Sequence, residues 1–102
     1  MVENDILNIA SKYAKEVKNK YNNSKIYLFG SQVNGNYNSD SDIDIAVVLK
    51  DYEKKMDIQI ELMRLRRKID SRIEPHPFRE SEFINTDVLA YEVLLNGIEL
   101  GN

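Results

Sequence analysis

Residues 25–49 constrain this chain more than any other stretch. A β-branched and aromatic run, Lys25 to Phe29, stops at Gly30-Ser31, and a second run, Asp42 to Leu49 (DIDIAVVL), begins after ten intervening residues. Between them Asn34 to Ser41 (NGNYNSDS) holds almost every turn-forming residue type and reads as a loop. The two runs read as strands. The second alternates acid and apolar at its start and is apolar on both faces afterwards, as a covered central strand is. Asp42 and Asp44 are one residue apart, so on a strand they point to the same face, about 6–7 Å apart along it. That spacing suits a pair of divalent cations about 3.5–4 Å apart. The Gly-Ser turn offers backbone N–H groups to a phosphate-sized anion nearby. Physically, the stretch reads as a site for metal-bound polyphosphate.

The rest of the chain supplies scaffold. Ile6, Ile9, Ala10, Tyr13, Val17 and Tyr21 recur at helical spacing and predict a helix over Asn4 to Tyr21. Ser31 to Val33 leaves room for a turn or two of helix before Gly35, which reads as loop geometry. Lys54 to about Asp70 reads as a second long helix with Met56, Ile60, Met63 and Ile69 inward. Its Arg64, Arg66, Arg67 and Lys68 read as a solvated face. Arg72 to about His76 reads as a strand entering a Pro-bounded stretch, because residues before proline favour extended geometry. A final helix is expected over Asn85 to Asn96, stopped by Gly97, with Ile98 to Leu100 as an extended tail or last turn. The order α-β-(short α)-β-α-β-α predicts an α/β (α+β) fold, a small mixed sheet packed by helices on one or both faces.

Composition sets the outer bounds. With 102 residues the chain is expected to form one domain, 1–102. Lys+Arg 14 against Asp+Glu 17 gives −3, which argues against bulk nucleic-acid binding. The chain has no cysteine, so disulfides, thiolate zinc sites and cysteine nucleophiles are excluded. Its longest purely apolar run, Ile45 to Leu49, is far short of the ~18 residues that suggest a membrane span. The acidic, interrupted start MVENDILN does not read as a signal peptide. A cytoplasmic domain without membrane association is the expectation.

Three phosphate- or metal-binding patterns fail on this stretch. Gly30-x-x-x-x-Gly35 has P-loop glycine spacing, but Asn36 and Tyr37 stand where Lys and Ser/Thr are required. A dinucleotide fingerprint needs glycine where Gln32 stands. Asp40-x-Asp42-x-Asp44 opens like an EF-hand loop, yet Ile45 replaces the glycine of its sharp turn and an apolar strand follows. What fits is Gly30-Ser31, ten residues, then Asp42-x-Asp44, with Gly35 and Ser41 between. This resembles the signature of the DNA-polymerase-β-like nucleotidyltransferase superfamily. The chain's size and its IEPHPF segment are similar to the minimal nucleotidyltransferases, small prokaryotic proteins commonly paired with a helical HEPN-domain toxin. The resemblance runs from Ile26 to Leu100.

Carried over by position, the resemblance implies a polymerase-β-like core in which Gly30 and Ser31 grip nucleotide phosphates. Glycine lets the backbone approach an anion and Ser31 adds a hydroxyl donor. Asp42 and Asp44 would bind two Mg²⁺ ions, with Mn²⁺ as the alternative that oxygen ligands also suit. Glu74 is the candidate for the family's third carboxylate, which is usually aspartate, and would orient or deprotonate an attacking hydroxyl. His76, the one histidine, reads as a structural or surface residue. The implied activity is transfer of AMP from ATP to a hydroxyl, with a tyrosine of a cognate HEPN toxin as acceptor and the chain as antitoxin. Two alternatives stand beside it: an antitoxin acting by binding alone, and transfer to a small molecule or nucleic acid. The chain lacks the extra domains with which relatives hold such substrates, which favours a protein partner.

Overall fold

The computed structural model describes residues 2–38 and 40–101; Met1, Asn102 and Ser39 of the predicted loop lie outside the described residues. Helix α1 (Asn4–Lys20) leads to β1 (Lys25–Phe29), the one-turn helix α2 (Ser31–Asn34) and β2 (Ile43–Leu49). Helix α3 (Lys55–Leu65) tightens into a 3₁₀ turn (Arg66–Lys68) before β3 (Ile73–Arg79). A second 3₁₀ turn (Glu80–Glu82), α4 (Val88–Asn96) and β4 (Ile98–Leu100) complete the fold. The strands form one mixed sheet in the order β3-β2-β1-β4. Strand β1 runs antiparallel to both β2 and β4, and β2 runs parallel to β3.

Strand alternation divides the apolar residues between two cores. Ile26, Leu28, Ile43, Ile45, Val47 and Ile73 face α1 and α3. Helix α1 meets them with Ile6, Ala10, Tyr13, Ala14 and Val17, all buried. The Tyr13 hydroxyl donates to the Leu62 carbonyl at 2.7 Å, tying α1 to α3, and its burial raises the phenol's pKa. The opposite face of the sheet carries Phe29, Ala46, Val48 and Phe78, and among the described residues the short α4 packs there through Ala90 and Val93, with Phe83 beside it. One face is thus closed by two helices and the other is only partly covered.

Four expectations are corrected. In α3 the inward residues are Ile58, Leu62 and Leu65, whereas Met56 and Ile60 are exposed; Ile69, beyond the helix, packs inward as expected. The stripe that reaches Tyr13 wins over its equally apolar competitor. The helix also ends at Leu65, not near Asp70. Strand β3 continues through Pro75 and Pro77 to Arg79. Both prolines sit at alternate positions of an edge strand, where their missing N–H would face outward and no ladder bond is lost. On that outer edge the Ile73 carbonyl accepts from Arg66 at 2.8 Å and the Pro75 carbonyl from Gln59 at 3.0 Å. Arg66 therefore caps a sheet edge instead of joining a solvated face.

The turn into β3 is held by Asp70, whose carboxylate accepts from the Arg72 backbone N–H at 2.8 Å and from its guanidinium at 2.9 and 3.1 Å. Those side-chain bonds hold the Asp70 carboxyl below its ordinary pKa. A depressed folded-state pKa means the stabilisation is complete above the unfolded value and is lost as pH falls through the folded one. Asp70→Asn is expected to cost about 0.5–1 kcal/mol at neutral pH for this partly exposed pair. Urea melts across acidic pH should show the gap from wild type closing on acidification.

Candidate active site

The last residue of β1, Phe29, pairs with Asp44 of β2. Directly after it the chain turns at Gly30, with φ 81° and ψ −151°. That backbone region is open essentially to glycine alone. A side chain is excluded for a second reason: a β-carbon on Gly30 would collide with the Asp44 carboxylate. The glycine therefore lets the turn and the carboxylate lie against each other. Ser31 opens α2, which folds back so that the Val33 and Asn34 N–H groups both reach the Gly30 carbonyl at 3.0 Å. Gly35 closes α2 in the left-handed conformation, with φ 83° and its N–H bonded to the Ser31 carbonyl.

Gln32 is a residue that sequence reasoning used only to reject a motif. Its side chain is buried, and its amide nitrogen donates to the Asp42 carbonyl at 3.3 Å. This links the Gly-Ser turn to the backbone that presents Asp42. A lone amide inside a polar loop carries no periodicity that could have revealed its burial.

The carboxylates collect on the partly covered face of the sheet. Asp42 is exposed just before β2 begins, one residue later than the predicted strand start, and Asp44 is the strand's second residue. In the parallel ladder Asp44 lies directly opposite Glu74, and Ala46 opposite His76. Like charges placed opposite each other on neighbouring strands are destabilising, so this placement reads as a site and not as scaffold. His76 Nε2 lies 3.0 Å from Asp44 Oδ1, and Phe29 packs edge-on against the imidazole with ring centroids 5.1 Å apart. An ionised carboxylate only accepts, so the hydrogen bond requires the proton on Nε2. Of the two roles expected of His76, the structure shows the structural one: it orients one oxygen of Asp44 while the other faces the Gly30 turn. The period-two alternation of Glu74 and His76 was the available signal, masked by the two flanking prolines.

All the acidic donors are hard oxygens, which suits Mg²⁺ or Mn²⁺. Among the described residues no three acidic or histidine side chains are gathered into a ready cage. That agrees with the habit of Mg²⁺, which is held by one or two carboxylates and completed by substrate phosphates and water. Asp42 and Asp44 therefore fit the ion on donor chemistry, and Glu74 stands on the same face. Gly30, followed by Ser31 at the start of α2, turns directly against the Asp44 carboxylate.

Residues 10–93 match the family described as nucleotidyltransferase domain. No curated protein sequence gives a match. Among solved structures, a chain of the MntA–HpeT toxin–antitoxin variant complex superposes with a TM-score of 0.66 at 30% identity, over 89% of this chain and 70% of that one. A chain of the toxin–antitoxin with AMP-PNP gives 0.65 at 27% identity, over 87% and 70%. A chain of the Shewanella oneidensis complex of tri-AMPylated HEPN toxin with MNT antitoxin gives 0.64 at 26% identity, over 92% and 70%. Fold and site together define a nucleotidyl-transferring enzyme. This chain belongs to the nucleotidyltransferase domain family, and its solved neighbours include MNT antitoxins in complex with HEPN toxins. Among the described residues no helix is long and apolar enough to cross a membrane.

Proposed function

We propose that this chain is an antitoxin that moves AMP from ATP to a tyrosine hydroxyl of a HEPN-domain toxin in the cytoplasm. The observation that carries the reading is the abutment of the Gly30 turn on Asp44, with Glu74 opposite it on the open face. Gly30 and Ser31 hold the outer phosphates, and Asp42 and Asp44 hold Mg²⁺. Bound there, the ions would neutralise charge at the attacking and leaving oxygens of the transfer. Glu74 accepts the acceptor's hydroxyl proton. The hydroxyl oxygen then bonds to the α-phosphorus, the bond from that phosphorus to the β-phosphate bridging oxygen breaks, and pyrophosphate leaves. His76 keeps the Asp44 carboxylate in its working orientation.

Label placement tests the reaction. ATP labelled at the α-phosphate should pass its label to the HEPN-domain protein, and ATP labelled at the γ-phosphate should release it as pyrophosphate. Protein labelled from the γ-phosphate would make the chain a kinase and end this reading. One feature favours the alternative of an antitoxin acting by contact alone: His76 already engages an oxygen of Asp44. That alternative requires the Asp42→Ala/Asp44→Ala variant to neutralise the toxin as well as wild type does.

A further inference from the structure

Helix α4 does not behave as an ordinary surface helix. Ala90 and Val93 are its buried residues, and the opposite side would be expected to be polar. Instead that side presents Val88 (87% exposed), Leu95 (64%) and Tyr91 (50%), flanked by Leu94, Ile84 and Ile98, all exposed. Exposed apolar patches of this kind mark places where something docks. Its sequence setting is acidic, although Glu82 pairs with Arg79, Asp87 caps α4 at the Ala90 N–H, and Lys55 and Arg79 line the neighbouring groove. From Glu80 to Leu100 the chain carries Glu80, Glu82, Asp87, Glu92 and Glu99 and no lysine, arginine or histidine. With those five acids set aside, the chain's net −3 becomes +2.

The patch is also joined to the candidate active site. Helix α4 packs on the sheet face that carries Asp44, Glu74 and His76. A groove of about 160 Å³ has His76 of β3 and Leu89 of α4, with Asp87, in its lining. It shares Lys55, Pro77, Phe78 and Asp87 with a larger groove of about 510 Å³ that passes Ile84. An object seated on α4 therefore has a path to the residue that touches Asp44.

We propose that the apolar face of α4 is the docking platform for the protein acceptor, a partner presenting an apolar face rimmed by lysine and arginine. The proposal rests on reading the site as one that modifies a protein hydroxyl. An apolar centre with a charged rim is the anatomy of a protein interface, and Glu92 on α4 with Glu99 on β4, elements that carry no basic residue, favours a basic partner. The same rim opposes the other occupants. A second copy on a two-fold axis would set acids against acids. Nucleic acid and anionic membrane present negative charge to it. Docking on α4 brings the acceptor hydroxyl in along the groove past His76, so the platform supplies the substrate selection that the nucleotide-gripping turn lacks.

The test uses the full chain with a HEPN-domain protein as acceptor, comparing wild type, Val88→Glu/Leu95→Glu and Glu92→Lys. The two apolar positions are exposed, so circular dichroism and AMP-PNP titration should be unchanged. Affinity for the partner should fall at least tenfold in the double variant, with KM for the partner raised by a similar factor and kcat nearly preserved. Glu92→Lys should weaken binding by a smaller factor and flatten its salt dependence. Unaltered partner affinity in the double variant would overturn the proposal. So would a homodimer, formed without the partner, that the double variant dissolves, because the patch would then belong to a second copy. Partner binding that depends on α4 but comes with no AMP transfer would uphold the platform and overturn the enzymatic reading.

Discussion

Asp42→Ala/Asp44→Ala is expected to lower AMP transfer about a thousand-fold, the several kcal/mol that metal-assisted charge neutralisation supplies, while the protein stays folded. Asp42 is exposed outside the ladder and Asp44 is only partly buried. Neither belongs to either apolar cluster, and the larger one lies on the other face with α1 and α3. Removing Asp44 also relieves its like-charge opposition to Glu74, so the thermal midpoint should stay within a few degrees of wild type. The same loss of transfer should follow chelation of divalent ions in the unmodified protein and be reversed by adding Mg²⁺. Single-turnover rates with the HEPN-domain acceptor measure the effect. Transfer persisting in the double variant at near wild-type rate would remove these carboxylates from the chemistry.

Gly30→Ala is expected to damage both fold and activity. The residue occupies φ 81°, ψ −151°, where any other side chain costs about 1–3 kcal/mol. The added β-carbon must also displace the Asp44 carboxylate. For a domain of this size such a loss lowers Tm by roughly 5–20 °C. Because the collision is with Asp44 itself, transfer should be abolished even at temperatures where the variant remains folded. Gly35→Ala is the informative control. Its glycine is also left-handed, with φ 83°, but a β-carbon there meets nothing within 4 Å. That variant should lose about 1–2 kcal/mol of stability from backbone strain and keep its transfer rate per folded molecule. Thermal melts paired with rate measurements distinguish strain alone from strain combined with a displaced carboxylate.

These two variants sit in the part of the chain that was most legible. Strand β1 was readable to the residue because Gly30 is a hard stop, and β2 was readable to within one residue at Asp42. Local chemistry sets both boundaries. Other features depend on packing across long sequence separations. In α3 two apolar stripes were equally periodic, and contact with Tyr13 decided between them. Strand β3 looked broken at Pro75 and Pro77 until its position at the edge of the sheet made both harmless. His76 is 32 residues from Asp44 in sequence, and only the parallel register of β2 and β3 brings them together. The final helix read as mixing apolar and polar faces through Val88, Leu89, Tyr91, Glu92 and Leu95, and its apolar outer side emerges only from its packing through Ala90 and Val93.

The central claim is that this chain attaches AMP to a protein hydroxyl using the turn at Gly30-Ser31 and the carboxylates on the open sheet face. Intact-mass spectrometry of the HEPN-domain acceptor, after incubation with the chain, ATP and Mg²⁺, tests it most directly. A gain of one or more whole AMP masses on a tyrosine is predicted, absent with Asp42→Ala/Asp44→Ala. An acceptor that stays unmodified while its toxicity is nevertheless neutralised would rule out AMP transfer and leave neutralisation by contact alone.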